Sequence, residues 1–449
     1  MKKKYLLIVL LMGISSGSFA FDLAYSYQKA LSYNADYLKA IASNDAGQEQ
    51  KNIARAQLLP QLSATGSITE NYFNQSGGSA LYHQSTYGGN LSQVIFDFSK
   101  FSSYSKGKYA GDVSALQLEN AKQQLMVTVS QAYFDVLYAK DTLTSIQMTK
   151  AALEKQMNQA KKAFEVGTVT VADVNDAQAG FDSSAAQEIQ ATNDLIYKKN
   201  IFRNLTGLDP EQIQPLKDNI SLELPKPASA DAWSSMAESG NLNVKVAGKQ
   251  VAMADQDVNI AISGHLPTLG IAGNYQNQGT GDLDATSGNM TPSTDGSNIP
   301  GTPLSSYSTA SLGAQVTVPI YQGGGVNAQV RQARATLEAS KQQLVSVERQ
   351  TDQNTRNTFW QVQNGVSIVK AQETAMKSAK TKLDSDQLGY QVGVRNSVDL
   401  VNSQKNYYQT YQTYQQSRYQ YLMARVQLRY LSGSVNPDFV KQINDNIKN

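Results

Sequence analysis

The chain has 449 residues, with 39 Lys+Arg against 37 Asp+Glu, two histidines and no cysteine. The missing thiols exclude disulfides, thiolate nucleophiles and Cys-ligated metals, the isolated His83 and His265 argue against a His-based metal site or triad, and the even charge balance offers nucleic acid no basic surface. Charged residues are only 17%, and Gln, Asn, Ser, Thr and Tyr stand in their place, the composition of surfaces wet on two sides.

Residues 1–20 read as a cleaved secretory signal. Lys2, Lys3 and Lys4 form a basic start, Tyr5 to Met12 an apolar run, and Ser18 and Ala20 supply small residues before a cut at Phe21. The run is too short for a membrane anchor, and no other stretch is long and apolar enough to span a bilayer as a helix. If the mature chain enters a membrane, it does so by β-strands.

The order of elements then occurs twice. A helix is predicted over Leu23 to Leu58, stopped by Pro60. Alternation of Leu62, Ala64, Gly66 and Ile68 with Gln61, Ser63, Thr65, Ser67 and Thr69 predicts a strand near 60–73. A polar loop, Asn74 to His83, leads to a second alternating run near 85–98, in which Gln93 is the misfit on an apolar face. Helical periodicity follows for about sixty residues, a rod of about 90 Å at 1.5 Å per residue. Val129, Val136 and Leu143 step by sevens along it, as a coiled-coil seam does. A turn at Gly167 reverses the chain into a shorter helix ending at Gly207.

The second copy has a helix from Trp233 to Ile262, strands near 267–277 and 307–321 flanking a long polar loop, a rod, a turn at Gly393 and a return to Gly433. Leu58-Leu59-Pro60-Gln61-Leu62 matches His265-Leu266-Pro267-Thr268-Leu269, Val94 to Asp97 matches Pro319 to Gln322, and Phe164 to Gly167 matches Tyr390 to Gly393. Ala121 to Leu125 also matches Ser340 to Leu344, at an offset that predicts seven extra residues in the second rod. The chain is therefore a tandem duplication, 21–225 and 226–435, with 436–449 as a tail.

Strands of roughly ten residues can cross a bilayer when tilted, and their alternation fits lipid on one side and water on the other. Tyr72, Phe73, Tyr82, Phe96, Phe98, Tyr307 and Tyr321 fall near strand ends, where aromatic girdles belong. Four strands cannot close a membrane barrel, so a barrel must be shared between chains; two copies give eight strands with a nearly filled interior, three give twelve and room for a channel. A diffusion porin and a periplasmic coiled-coil spacer are the rival readings, the first having no need of 90 Å helices and the second none of lipid-facing strands.

No catalytic constellation is present; Gly323-Gly324-Gly325 follows a strand and lacks the Lys-Ser/Thr of a phosphate loop. The turns Val166-Gly167-Thr168 and Val392-Gly393-Val394 lie at the far end of the rods from the strands. An ordinary helical hairpin accounts for their glycines and for the first-turn Asp173. It does not account for Tyr390, Arg395 and Asp399 gathered at one turn of a charge-poor chain.

The two proline motifs, Gln93 to Lys100, Pro319 to Val330 and Tyr390 to Arg395 together resemble the TolC-like outer-membrane efflux and type I secretion channel family, in order over essentially the whole mature chain. The resemblance implies a membrane α+β fold: a homotrimeric twelve-stranded outer-membrane β-barrel continuous with a long periplasmic α-helical barrel, with Leu208–Trp233 and Val435–Asn449 forming a belt around the tube. It implies a passive gated exit duct, not an enzyme, without a cofactor. Its partners would be a periplasmic adaptor (membrane fusion protein), an inner-membrane RND, MFS or ABC transporter, and outer-membrane lipid. Tyr390 and Arg395 would latch onto Asp173, Asp399 would line the pore, and the Val-Gly turns would dock the adaptor. Two positions depart from the family pattern: Asn402 stands where a second aspartate is found and Ala172 where a threonine is found, so the gate would be less acidic and held by fewer hydrogen bonds.

Overall fold

The computed structural model describes residues 21–75, 78–280 and 306–447. The signal segment and nearly all of the long loop of the second copy lie outside the described residues. The chain forms two compact units, one made of Leu118–Val244 and Glu348–Asn449 with the chain up to Ile41, the other of Ala42–Gln117 and Lys245–Val347. Among the described residues no helix is long and apolar enough to cross a membrane.

Elements α1 (Leu23–Tyr33), α2 (Ala35–Ala56), β1 (Gln61–Gln75), β2 (Gly78–Phe96), α3 (Phe98–Glu165) and α4 (Val171–Thr206) form the first half. Elements α5 (Ala230–Gly240), α6 (Leu242–Ser263), β3 (Thr268–Thr280), β4 (Ser306–Thr317), α7 (Gly325–Gln391) and α8 (Ser397–Leu431) repeat that order, and α9 (Pro437–Asn444) follows.

Four sequence expectations need correction. Each initial helix is two helices, broken at Asn34 and Asn241, whose side chains accept the Tyr37 N–H at 2.9 Å and the Asn243 N–H at 2.9 Å. An asparagine that caps a new helix competes with continuation of the old one. The predicted loop at 74–83 is mostly strand, since pairing continues to Gln75↔Gly78; main-chain bonds extend a hairpin whatever the polarity of its side chains. The strand expected to reach 321 ends at Thr317, because Pro319 brings no N–H to a ladder. The seven-residue insertion does not exist: α3 has 68 residues and α7 has 67. The Lys-Gln-Gln-Leu match is a chance recurrence in Gln-rich helices, and the strand and turn matches fix the alignment.

In the strand-bearing unit the sheet is antiparallel in the order β1-β2-β3-β4. Register carries the alternation coherently across it: Leu62 faces Leu91, Leu91 faces Gly273, and Gly273 faces Leu312. Ala64, Ile68, Leu269, Ile271, Tyr275 and Val316 share that face, and its aliphatic residues stand open, Leu62 at 80%, Ile68 at 83% and Leu312 at 77% exposed. The opposite face is polar, with Asn274 donating to Asn90 at 2.6 Å. Gln93 has a structural reason for its place: its amide donates to the Leu58 carbonyl at 3.0 Å, satisfying an acceptor beyond the end of α2. A register shift between Val94 and Phe96 lets β2 leave the sheet toward α3. Within one chain β1 and β4 are both edge strands.

The helical unit has its core in the middle of the long helices, where Tyr133, Phe134, Phe202, Trp233, Phe359, Tyr421 and Leu422 are buried. Phe21 bridges Ile213, Leu216 bridges Ile447, and the Tyr133 hydroxyl donates to the Gln214 carbonyl at 2.7 Å. The segment after α4 is thereby tied to Phe21 and to the tail.

Candidate gate and docking turns

Two helical hairpins of this unit carry the residues singled out above. Each turn is made by a glycine in the left-handed region, Gly167 at φ 75° and Gly393 at φ 79°, a conformation that costs any residue with a Cβ. The amides of Thr168 and Val394 donate five residues back, to Ala163 and Gly389, each at 2.9 Å. The same backbone therefore serves both turns. Around it Val166, Val171, Val392, Val394 and Val398 are all more than half exposed. Thr168 is also exposed, its hydroxyl donating to the Ala163 carbonyl at 2.9 Å. The two turns therefore present apolar, solvent-exposed tips.

The helices that leave the turns are capped differently. Thr170 and Asp173 form a reciprocal box: the Thr170 N–H donates to the Asp173 carboxylate at 2.8 Å and the Asp173 N–H to the Thr170 hydroxyl at 3.3 Å. The Thr170 N–H, then its hydroxyl, hold the Asp173 carboxyl below the usual carboxylate range. In the second hairpin Asn396 caps α8, accepting the Asp399 N–H at 2.7 Å. Asp399 is left to face Arg395, with Nη1 at 3.8 Å from its carboxylate.

Within the chain the guanidinium of Arg395 engages Asp399 and, through Nε at 3.4 Å, Asp386. Asp173 is occupied by Thr170, Tyr390 is half-buried at the end of α7, and Asn402 is exposed one turn beyond Asp399. The structure thus brings Arg395 and Asp399 together and gives Asp173 a separate local partner. Gly389 permits the arrangement, since a Cβ there would meet Arg395 Cγ at 2.7 Å.

Sequence reasoning missed Asp386. Its side chain is only 7% exposed, it accepts a hydrogen bond from the Ser403 hydroxyl of α8 and another from Lys382 Nζ at 2.9 Å, and Lys382 also reaches Ser403 at 2.8 Å. One carboxylate therefore clamps α7 to α8 one turn before Tyr390. The i,i+4 spacing of Lys382 and Asp386 was a readable signal, but nothing local marks Ser403 as its third member. The Ser403 hydroxyl above all, then Lys382 and Arg395, hold the Asp386 carboxyl below its ordinary value. A depressed carboxyl stabilises the fold above its unfolded pKa of about 4, and the contribution is lost as pH falls through the lower folded value. Protection of the amides at 393–397, taken relative to intrinsic exchange at each pH, is therefore expected to stay flat from pH 7 to pH 5 and to fall only in stronger acid. Asp386→Asn should show low protection throughout; a variant matching wild type at every pH removes the clamp.

The family model for outer membrane efflux proteins matches residues 26–208 and 233–434. The chain is 31% identical to outer membrane protein TolC of Escherichia coli over 441 residues, 97% of this chain and 87% of that protein. It is 27% identical to the alkaline protease secretion protein AprF of Pseudomonas aeruginosa, over 94% of this chain and 86% of that one. Its fold is shared with the Campylobacter jejuni CmeC outer membrane channel at a TM-score of 0.76 and 17% identity, over 95% of this chain and 90% of that one. The chain therefore belongs to the outer membrane efflux protein family, whose members are outer-membrane channels.

Proposed function

We propose that three copies of this chain join their sheets edge to edge into one twelve-stranded barrel in the outer membrane, and that their long helices continue it as a periplasmic tube. The observation that carries this reading is the sheet: one face apolar and exposed, two unpaired edges, and helices of 67 and 68 residues leaving it. Lipid admits no open edge, so β1 of one copy pairs with β4 of the next. The assembly is a passive exit duct for efflux and type I secretion, energised by an inner-membrane RND, MFS or ABC transporter through a periplasmic adaptor seated on the tips Val166-Gly167-Thr168 and Val392-Gly393-Val394. Tyr390 and Arg395 close the duct by reaching Asp173 and its helix, in exchange for the contacts Arg395 makes with Asp386 and Asp399.

Threefold symmetry turns Asp399 into a ring of three carboxylates, and Asn402 lines the next turn without adding charge. Acidic rings select cations. In a planar bilayer the wild-type protein is expected to form cation-selective pores blocked by trivalent cations from the periplasmic side. Asp399→Asn should lower both selectivity and block with little loss of trimer stability. A protein that forms no pores supports the spacer reading, and selectivity untouched by Asp399→Asn refutes the ring.

A further inference from the structure

The helical unit contains a pocket that the channel reading does not use. It measures about 360 Å³, within the size range of small-ligand sites, and lies between α5, the end of α8, α9 and the segment 223–226. Its walls are mixed in a particular way. Trp233, Phe439, Leu224 and Pro225 supply apolar surface, and among the described residues Arg425, Arg429 and Lys226 supply three positive charges against the one carboxylate of Glu223.

Arg429 is the informative residue. Its guanidinium carbon lies 5.2 Å from the Trp233 ring centre and 5.6 Å from that of Phe439, so both rings hold the cation in place. Trp233 is itself fixed, buried and donating its indole N–H to the Pro227 carbonyl at 2.8 Å. Among the described residues no carboxylate pairs with Arg429 and no acceptor takes its side-chain N–H groups. One turn earlier, Arg425 sits over the Tyr421 ring and meets Glu223 at only 3.4 Å, with Glu223 58% exposed. Glu223 is in turn anchored through its backbone, whose N–H and carbonyl both bond the Tyr421 hydroxyl at 2.8 Å. Burial, then repulsion from Arg425, push the Arg429 guanidinium below its ordinary pKa.

A half-buried guanidinium held by two rings, with its donor edge unused and a second arginine alongside, is a preformed oxyanion receptor. Guanidinium forks match carboxylates bidentately, and the aromatic walls accept an apolar stem. We infer that this pocket binds a small carboxylate-bearing ligand of about dipeptide size, its carboxylate on Arg429 and Arg425 and its stem against Trp233 and Phe439. The site is a binding function of the helical unit, separate from the duct and its gate.

The test uses the full-length assembled protein in detergent with Trp360→Phe, which leaves Trp233 as the only tryptophan. The probe is N-acetyl-phenylalanine, and N-acetyl-phenylalaninamide serves as the same stem without the charge. Saturable change in Trp233 fluorescence is expected with the acid, and binding of the amide should be roughly ten- to hundred-fold weaker, the range for losing hydrogen bonds to charged groups. Arg429→Gln should abolish binding with helical circular dichroism intact. Should that variant fail to fold, Glu223→Gln carries the test: releasing Arg425 from a partly exposed ion pair should tighten binding roughly two- to five-fold. Equal affinity for acid and amide, no saturable binding by wild type, or a Glu223→Gln variant that does not tighten would overturn the proposal. Inorganic phosphate displacing the acid at lower concentration than the acid itself would overturn the choice of a carboxylate.

Discussion

Leu312→Arg is expected to abolish the assembled protein in the outer membrane. Leu312 stands mid-strand in β4, is 77% exposed, and faces Gly273 on the apolar side of the sheet. An arginine facing lipid near the bilayer midplane costs about 2–4 kcal/mol per copy, so three copies carry about 6–12 kcal/mol, comparable to the whole stability of many domains. Ser311→Arg, one residue away on the polar face, should leave heat-modifiable trimers intact, because that side is proposed to face water. The pair separates a lipid-facing strand from a merely crowded one. Leu312→Arg trimers as abundant and heat-stable as wild type, or Ser311→Arg equally destructive, would count against the shared barrel. So would a stable, monodisperse monomer with native helix content.

Tyr390→Phe with Arg395→Ser is expected to raise single-channel conductance several-fold and to let large antibiotics enter from outside. Arg395 is the only basic residue in the second turn and it already bridges Asp386 and Asp399 within its own hairpin. The latch must outweigh these pairs; a net gain of about 0.2–1 kcal/mol per copy, the range for exposed pairs, sums over three symmetry-related copies to about 0.6–3 kcal/mol, which shifts the closed-to-open ratio by up to about a hundredfold. Asp386→Asn supplies the internal control. It removes one anchor of Arg395 together with the clamp to Ser403, so it should loosen the hairpin without removing the latching guanidinium. Conductance unchanged in the Tyr390/Arg395 double variant would exclude the latch.

The sequence by itself determined those features that local sterics and solvent impose. Period-two alternation named the apolar face of every strand, because successive side chains point to opposite sides of a pleat, and the register aligns those faces as the alternation required. Gly167 and Gly393 marked both turns, because only glycine enters the left-handed region without penalty. Tyr390, Arg395 and Asp399 were likewise legible as a group at one turn, although the pairing of Arg395 with Asp386 and Asp399 was not.

Other features belonged to the tertiary structure. The breaks at Asn34 and Asn241 carry no proline of the kind that stops each helix at its end, and only the new caps show where one helix gives way to the next. The clamp of Asp386 by Ser403 depends on how α8 is rotated against α7, and the aromatic walls around Arg429 join α5, α8 and α9 across more than two hundred residues of chain. Contacts of that kind are set by packing geometry summed over long helices, which no local pattern encodes. A polar motif such as Lys-Gln-Gln-Leu can therefore recur by composition and mislead, whereas a buried carboxylate or an unpaired guanidinium shows its partners only once the helices are in place.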